Sequence, residues 1–260
     1  MIVTILGSGT SVPQRARSAP GSLVRVGKRC LLVDAGTGVI WNLLRFAGIG
    51  LDRLGGVLLT HLHIDHCADL APMLFALRSV ELPRSAPLLV AGPEGTENYY
   101  KSLHGLYGRW VEPADYELSV KDLRGEVLRW EGFEIRSART EHSLENIAYR
   151  ITDEESGRNC LFTGDGQPTE SLIAMAGGEV DILIAECAVP PEDTEMGHMN
   201  PAQAGALASD CGARLLVLNH LNPGCQREAV ASEAARYFSG KILVAEDGMS
   251  VSLESVESGG

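Results

Sequence analysis

Residues 61–66 read His-Leu-His-Ile-Asp-His, so three histidines and one carboxylate occupy a single short segment. The apolar run at 56–60 predicts a buried strand, which places the cluster in the loop at the carboxyl end of that strand. His61 and His63 point to the same side of an extended backbone and can share one metal ion, while the aspartate and the last histidine can turn toward a second. Imidazole and carboxylate together suit zinc, manganese or iron better than calcium. Because the whole chain has only seven histidines, three in one loop predict a metal site rather than scattered core or surface histidines.

Three more residues of ligand type follow strand-like segments further along the chain. His142 lies between the runs 133–136 and 147–151, Asp165 ends the sequence Leu-Phe-Thr-Gly-Asp, and His220 closes the run Leu-Leu-Val-Leu-Asn-His. Loops at the ends of strands are where a rigid scaffold tends to gather catalytic groups. We therefore expect these residues to join the first cluster.

These motifs, from Met1 to about residue 253, resemble those of the metallo-β-lactamase superfamily, whose members bind two metals between paired β-sheets. The resemblance implies that His61, His63 and His142 hold the first metal, that Asp65, His66 and His220 hold the second, and that Asp165 bridges both. It also implies two divalent metal ions as cofactors, with zinc favoured and manganese or iron as alternatives.

The same resemblance implies hydrolysis by a hydroxide that bridges the two metals. Metal binding lowers the pKa of water from about 16 toward about 7, so hydroxide is available at neutral pH. Two dications would bring four positive charges, and Asp65, Asp165 and the hydroxide would remove three, which leaves about one. A site with that charge favours a small anionic substrate.

Several motifs are similar to the ribonuclease Z and phosphodiesterase branch of this superfamily. They are His142-Ser143, Tyr149-Arg150-Ile151, Thr163-Gly164-Asp165, and Glu186 ahead of Gly197–Ala204. In that branch a histidine at the position of His198 assists the scissile phosphate and the leaving group, although Met199-Asn200 departs from the usual spelling of the motif. Glu186 ends an apolar strand, and because a buried carboxylate needs a partner, we expect it to orient His198. Asp65 is expected to pass on the proton of the nucleophile. The alternative for His198 is a surface loop histidine, while Asn200 and Pro201 predict a helix N-cap and first helical position.

The spacing between ligands bears on the substrate. Ribonuclease Z carries a long tRNA-gripping arm between the equivalents of His142 and Asp165, but here that interval is 165 − 142 = 23 residues. Two strand-like stretches and the acidic turn 153–157 fill it. We therefore expect a phosphodiesterase for a small or cyclic phosphodiester, with RNA disfavoured. The alternatives are a tRNA 3′-processing endonuclease, a sulfate-ester or lactone hydrolase, and a non-catalytic protein that binds metal or phosphoesters.

Net charge, cysteine spacing and the length of apolar runs limit the classes of protein to which the chain can belong. The 260 residues carry a net charge of −12, which argues against general nucleic-acid binding. Six cysteines have no Cys-x-x-Cys spacing and several lie in apolar runs, which favours free thiols in a reducing cytoplasm. No run is long enough to cross a membrane. We expect one domain over 1–254 with a flexible tail at 255–260, and the sequence leaves open whether the chain forms a homodimer.

Apolar patterning predicts an α/β fold. Strands are expected at 2–6, 23–27, 30–34, 56–60, 88–91, 180–186, 214–219, 241–245 and 249–253, with a β-rich stretch from 115 to 163. Helices are expected at 38–48, 67–80, 94–106, 169–176, 201–211 and 226–238. Two halves of strands with outer helices imply a four-layer αβ/βα sandwich, the architecture of the metallo-β-lactamases.

Three further features carry weaker predictions. Asp34, at the end of the third predicted strand, is interpreted as a carboxylate that orients a loop rather than as a ligand. Cys67 follows the histidine cluster directly and is a minor candidate ligand. The aromatic residues of 98–116 suggest core or interface packing, with a substrate pocket as the alternative.

Overall fold

A computed structural model of the protein describes residues 1–191 and 197–253. Its strands are β1 (Ile2–Gly7), β2 (Gly21–Val26), β3 (Arg29–Val33), β4 (Gly56–Leu58), β5 (Leu88–Gly92), β6 (Leu118–Asp122), β7 (Leu128–Trp130), β8 (Phe133–Thr140), β9 (Asn146–Asp153), β10 (Asn159–Phe162), β11 (Val180–Glu186), β12 (Ala213–Asn219), β13 (Lys241–Val244) and β14 (Ser250–Val251). Its α-helices are α1 (Val39–Asn42), α2 (Ile64–Cys67), α3 (Leu70–Ala76), α4 (Thr96–Tyr107), α5 (Glu170–Ala176), α6 (Pro201–Asp210) and α7 (Arg227–Ala234). A π-helical turn, Leu43–Ala47, extends α1, and 3₁₀ turns occupy Leu51–Arg53 and Gly108–Val111.

The strands form two seven-stranded sheets. The first has the order β14-β1-β2-β3-β4-β5-β6 and the second the order β13-β12-β11-β10-β9-β8-β7. In each sheet an antiparallel half joins a parallel half: β3 to β6 run parallel in the first, and β10 to β13 run parallel in the second. The parallel connections carry helices, as crossovers between parallel strands require.

Three clusters of buried apolar side chains hold the layers together. One lies between the two sheets and includes Ile5, Phe133 and Tyr149. A second lies under α5, α6 and α7, and a third under α1, α3 and α4. The hydroxyl of Tyr149, which is completely buried, donates to the carbonyl of Leu59 at 2.8 Å and so ties one sheet to the other. The predicted four-layer αβ/βα sandwich is confirmed.

The strands that precede the predicted ligands end on one side of the sandwich. The hairpin of β8 and β9 pairs in continuous register from Phe133↔Asp153 to Thr140↔Asn146, and His142 lies in the loop between them. Beside it, β10 and β11 run parallel to β12, and the loops after all three begin at that edge. This topology gathers residues that are far apart in sequence.

The predicted helix at 67–80 is wrong in its bounds, because two short helices replace it and the first of them starts at Ile64. The chain between them is tethered to the loop after β3. The amide of Ala35 donates to the carbonyl of His66 at 2.7 Å, and the amide of Asp69 donates to the carbonyl of Ala35 at 2.8 Å. The carboxylate of Asp69 accepts from the amide of Gly38. These tethers lie outside the helix, so the apolar periodicity does not reveal the break.

Other element bounds differ by a few residues. The helix predicted at 38–48 ends at Gly48, where φ is +62°, but its second half is π-helical. The helix predicted at 226–238 is shorter and ends at Ala234, and the strand predicted at 249–253 keeps only two residues. The predicted tail at 255–260 lies outside the described residues. Within 1–191 and 197–253, none of the helices has the length and apolarity that a membrane span needs.

Candidate metal centre

The structure brings together every residue that the sequence predicted as a ligand. The side chains that converge are His61, His63, Asp65, His66, His142, Asp165 and His220. They fall into two groups, each with donor atoms within 4.8 Å of one another. One group is His61, His63, His142 and Asp165, and the other is Asp65, His66 and His220. Asp165 and His220 also lie within the same distance of Glu186 and His198, which makes a third, overlapping group.

The first group is built on three imidazoles that face a common point. Nε2 of His61 lies 2.9 Å from Nδ1 of His63, and Nε2 of His142 lies 3.2 Å from the same atom. Oδ2 of Asp165 lies 3.8 Å from Nε2 of His61. In a tetrahedral zinc shell, ligand atoms about 2.0–2.2 Å from the ion lie roughly 3.3–3.6 Å apart. The observed spacing therefore fits a metal at the centre of the group.

The donor atoms of the second group lie at similar distances from one another. Nε2 of His66 lies 3.3 Å from Nε2 of His220. Oδ2 of Asp65 lies 3.9 Å and 3.7 Å from these two nitrogens. Oδ2 of Asp165 lies 3.4 Å from His66 and 3.5 Å from His220, so one carboxylate oxygen faces both groups. Asp165 is only 3% exposed, which puts a buried charge where two cations would share it.

Three of the histidines, His61, His66 and His142, have a partner at the opposite ring nitrogen. Nδ1 of His142 donates to the carbonyl of Gly197 at 2.8 Å, and Nδ1 of His66 donates to Asp34 at 2.9 Å. Nδ1 of His61 lies 3.1 Å from the hydroxyl of Thr60. Such partners select the tautomer that presents the other nitrogen to a metal.

Asp34 holds the loop that carries the histidines. Its Oδ1 accepts the amide of Thr60 at 2.8 Å, and the Thr60 hydroxyl lies 3.0 Å from both carboxylate oxygens. Asp34 adopts φ of +60°, an uncommon conformation that aspartate tolerates better than most residues. The interpretation of Asp34 as a loop-orienting carboxylate agrees with this geometry.

Burial and the buried carboxylates act on the histidines in opposite directions. Burial lowers the pKa of His61 far below its ordinary value and also lowers the pKa of His142, so both rings are neutral and can bind a metal. Burial also acts to lower the pKa of His66, but Asp165 and Asp34 outweigh it and raise that pKa well above its ordinary value. Metal binding must therefore displace a proton from His66.

The carboxylates of the centre are held ionised. Burial raises the pKa of Asp165, but His220 and His66 outweigh it and bring that pKa well below its ordinary value. Burial likewise acts to raise the pKa of Asp65, and the hydrogen bond with His220 and the charge of His66 lower it overall. Buried negative charge of this kind requires a positive partner, which a metal ion supplies.

Glu186 and His198 form a pair next to this centre, as the sequence predicted. Nδ1 of His198 lies 3.1 Å from Oε2 of Glu186 and 4.0 Å from Oδ2 of Asp165. The His198 ring stacks on His220, with centroids 6.0 Å apart and an interplanar angle of 12°. Burial raises the pKa of Glu186, and the hydrogen bond with His198 opposes that shift. His198 therefore lies beside the candidate metal centre, with its side chain 22% exposed.

Asn200 and Pro201 explain how His198 is positioned. The Asn200 side chain accepts from the amide of Gln203, and the Gln203 side chain accepts from the amide of Asn200, which makes a capping box with Pro201 at the first helical position. Gln167 donates to the carbonyl of His198. The predicted N-cap is confirmed, and it anchors the segment just after His198.

Sequence reasoning missed Asn146 and Gly197. The side-chain amide of Asn146 donates to the carbonyl of Asp165 and to the hydroxyl of Thr140, and so fixes the turn that carries the shared carboxylate. Gly197 has φ of +82°, and a Cβ there would lie 3.3 Å from Nδ1 of His142. Both act through contacts between distant segments, and their residue types alone carry no signal for them.

Two weaker predictions have clear outcomes. Sγ of Cys67 donates to the carbonyl of His63 at 3.2 Å, and Cys67 belongs to none of the ligand groups found among the described residues. All six cysteines are buried free thiols. In the aromatic segment, Tyr99 donates to the carbonyl of Cys67, whereas Trp110 is 49% exposed and packs edge-on against Phe75. Part of that segment is core and part is surface.

We expect Asp34→Ala to weaken zinc binding by roughly 10- to 100-fold, the usual effect of removing a partner behind a metal-binding histidine. The measurement is competition for zinc against a chromophoric chelator. Asp153→Ala is the matched control, because Asp153 is also a buried aspartate, 1% exposed. It lies at the end of β9 that is far from Asn146 and the candidate ligands. Equal zinc affinity of Asp34→Ala and wild type would show that His66 needs no orienting partner.

Comparison with known proteins places this geometry in a family. A model of the beta-lactamase superfamily domain matches residues 29–221, which is more than half of the chain. The matched range contains all seven predicted ligands. The match therefore covers both groups of the candidate centre.

Curated relatives and solved structures agree with the match. Ribonuclease Z of Mycolicibacterium paratuberculosis is 32% identical over 94% of this chain and 95% of its own length, and Ribonuclease Z of Mycobacterium bovis is similar to the same degree. The metallo-beta-lactamase fold protein YhfI from Bacillus subtilis is 27% identical, with a TM-score of 0.83 over 96% of this chain and 98% of that protein. The short form of human tRNase Z shares the fold at 24% identity, with a TM-score of 0.76 over 97% of this chain and 99% of that one.

Proposed function

Because this chain belongs to the metallo-β-lactamase superfamily, in its ribonuclease Z-like branch, and is a metal-dependent hydrolase, we propose that it is a dinuclear phosphodiesterase. Its substrate in this proposal is a small or cyclic phosphodiester. The observation that carries the proposal is the position of Asp165. One of its oxygens lies within 3.8 Å of donor nitrogens in both ligand groups, which suits a carboxylate that two cations share.

The candidate ligands divide between two metal positions. His61, His63 and His142 would hold one ion, Asp65, His66 and His220 the other, and Asp165 both. Five imidazoles with two carboxylates favour zinc, and manganese or iron suits the same set. When bound, two divalent ions activate water as a nucleophile and polarise the phosphoryl oxygens.

The side chains around the metals supply the remaining chemistry. Asp65, whose pKa is lowered, is ionised and is placed to accept the proton of the attacking water. His198, whose Nδ1 faces Glu186, is placed to donate a proton to the leaving oxygen or to stabilise charge on the phosphoryl oxygens. Glu186 also accepts the amide of Gly166, so it is held in place from two sides.

The connection between β9 and β10 supports a small substrate. These strands pair from Thr152↔Asn159 to Tyr149↔Phe162, so a plain hairpin uses the interval in which ribonuclease Z carries its arm. The turn between them contains Glu154 and Glu155 and is acidic, which repels a tRNA backbone.

Cleavage of tRNA precursors is the second candidate function, because the curated relatives at 32% identity are named Ribonuclease Z. The discriminating experiment measures kcat/KM of the zinc-loaded protein for a cyclic dinucleotide, a p-nitrophenyl diester and a tRNA precursor. We expect turnover of the small diesters and little or none of the precursor. Faster cleavage of the precursor at its 3′ end would reverse the order of the two candidates.

A further inference from the structure

A groove beside the hairpin that carries His142 is lined by arginines, and we call it the arginine cleft. It has a volume of about 420 Å³. The residues that define it are Arg124, Arg136, Ser137, Arg139 and Glu145, with apolar side chains between them. It lies between the second half of β8 and the chain that follows β6.

The cleft lies at an unpaired edge of β8, in the second sheet. Strand β7 pairs with β8 only at Phe133–Ile135, so the remainder of β8, from Arg136 to Thr140, has no strand on that side among the described residues. Leu123 and Ile147, both buried, line the cleft between the two sheets. An apolar floor with a charged rim suits a ligand that has an organic body and an anionic group.

The arginines have only weak partners. The side chains of Arg124, Arg136 and Arg139 are 65%, 51% and 66% exposed. Arg139 pairs with Glu145 at 3.0 Å, Arg124 pairs with Glu94 at 3.3 Å, and Arg136 pairs with Glu134 at 2.8 Å. Exposed ion pairs of this kind contribute little to stability, so an incoming phosphate can replace the glutamates. The lining itself holds three arginines and two glutamates, and Glu134, the partner of Arg136, lies outside it.

Ser137 adds an unsatisfied hydroxyl to the cleft wall. This residue is 8% exposed, and its Oγ has no hydrogen-bond partner among the described residues. A buried hydroxyl without a partner is unfavourable, and an anionic oxygen in the cleft would satisfy it.

The cleft begins at the base of the loop that carries His142. Arg139 lies three residues before His142 and Glu145 three residues after it, and the two side chains pair across the hairpin. Three residues of extended chain span about 11 Å at most, so Arg139 stays close to the first ligand group. A molecule held at the metals by one phosphate can therefore reach the cleft with another.

We propose that the arginine cleft binds a second phosphate carried by the substrate, a monoester on the same nucleotide-sized molecule as the scissile diester. Arginine is suited to this role because its guanidinium donates two parallel hydrogen bonds to phosphate oxygens. The inference rests on the proposed phosphodiesterase function and narrows its substrate class.

The test uses two chromogenic diesters that differ in one group: thymidine 5′-(p-nitrophenyl phosphate) and the same compound with a 3′-phosphate. Both release p-nitrophenol when water cleaves the ester bond to phosphorus. For zinc-loaded wild type, we expect kcat/KM to be about tenfold higher with the 3′-phosphate, the gain of a charge-assisted hydrogen bond. In the double variant Arg136→Ala/Arg139→Ala that preference should vanish, while kcat/KM for the compound without the 3′-phosphate stays within about twofold of wild type.

Arg236→Ala is the matched control, because Arg236 is equally exposed and pairs with Glu233 on α7. It should keep the full preference. Absence of a preference in wild type, or its survival in the double variant, would overturn the proposal while hydrolysis of both diesters still supports the phosphodiesterase. If the metal-loaded protein hydrolyses neither diester, the proposed function fails, and calorimetric binding of thymidine 3′,5′-bisphosphate then decides on the cleft. Binding about tenfold tighter to wild type than to the double variant would support the cleft, and equal binding would reject it.

Discussion

Replacing Asp165 by alanine is expected to reduce the rate of bis(p-nitrophenyl) phosphate hydrolysis by on the order of 10³-fold, more than the roughly 10- to 100-fold that an outer partner of a ligand contributes. The reason is geometric: a single oxygen of Asp165 faces His61, His66 and His220. Its loss removes a ligand from both positions at once and leaves the nearby histidines without their buried counter-charge. Elemental analysis should find fewer than two metal ions per chain.

Asp153→Ala again serves as the matched control for this effect. Asp153 is buried at the far end of β9 and pairs with Arg29, so its loss affects stability without touching the ligands. Circular dichroism should show that both variants are folded. A folded Asp165→Ala protein with two bound metals and wild-type turnover would show that Asp165 is not a ligand shared by two metals.

Replacing His198 by alanine is expected to lower kcat by roughly 10²- to 10⁴-fold for a diester with an alkoxide leaving group, the range that general acid catalysis provides. His198 belongs to neither of the two groups that hold the seven predicted ligands, although it lies beside Asp165 and His220. Metal content should therefore stay at the wild-type value. For a p-nitrophenyl leaving group, which needs no proton, the loss should be under about tenfold. Glu186→Gln should give a smaller loss with the same dependence on leaving group.

The chain offers a matched control for this pair. His104 and Glu112 form a second histidine–glutamate pair, at 2.6 Å, on the surface near α4. His104→Ala should leave all rates unchanged. An equal loss of rate on both leaving groups in His198→Ala would mean that His198 stabilises phosphoryl charge and does not donate the proton. Unchanged kcat on both would remove His198 from catalysis.

The candidate ligands could be predicted because each is a strong donor at the carboxyl end of an apolar strand. Four of them also lie within residues 61–66, so local spacing alone indicates a shared site. For His142, Asp165 and His220, parallel and hairpin pairing brings the strand ends to one edge, and the residue types predict what meets there. The sandwich followed from the same alternation of strands and helices.

The residues that position these ligands could not be predicted, because they act across the fold. Asn146 supports Asp165, and Gly197 supports His142, through contacts whose geometry depends on how two loops meet. The arginine cleft has the same origin, since it exists only because β7 stops short of the second half of β8. The break before Asp69 depends on a tether to the loop after β3, which no helical periodicity encodes.

The most direct test of the central claim is hydrolysis of bis(p-nitrophenyl) phosphate as metal is added back to metal-free protein. A dinuclear phosphodiesterase should show little turnover with the first equivalent of zinc or manganese and full turnover with the second. Turnover should disappear again on chelation. Absence of turnover with two metals demonstrably bound would contradict the account and favour a sulfate ester, a lactone or a binding role.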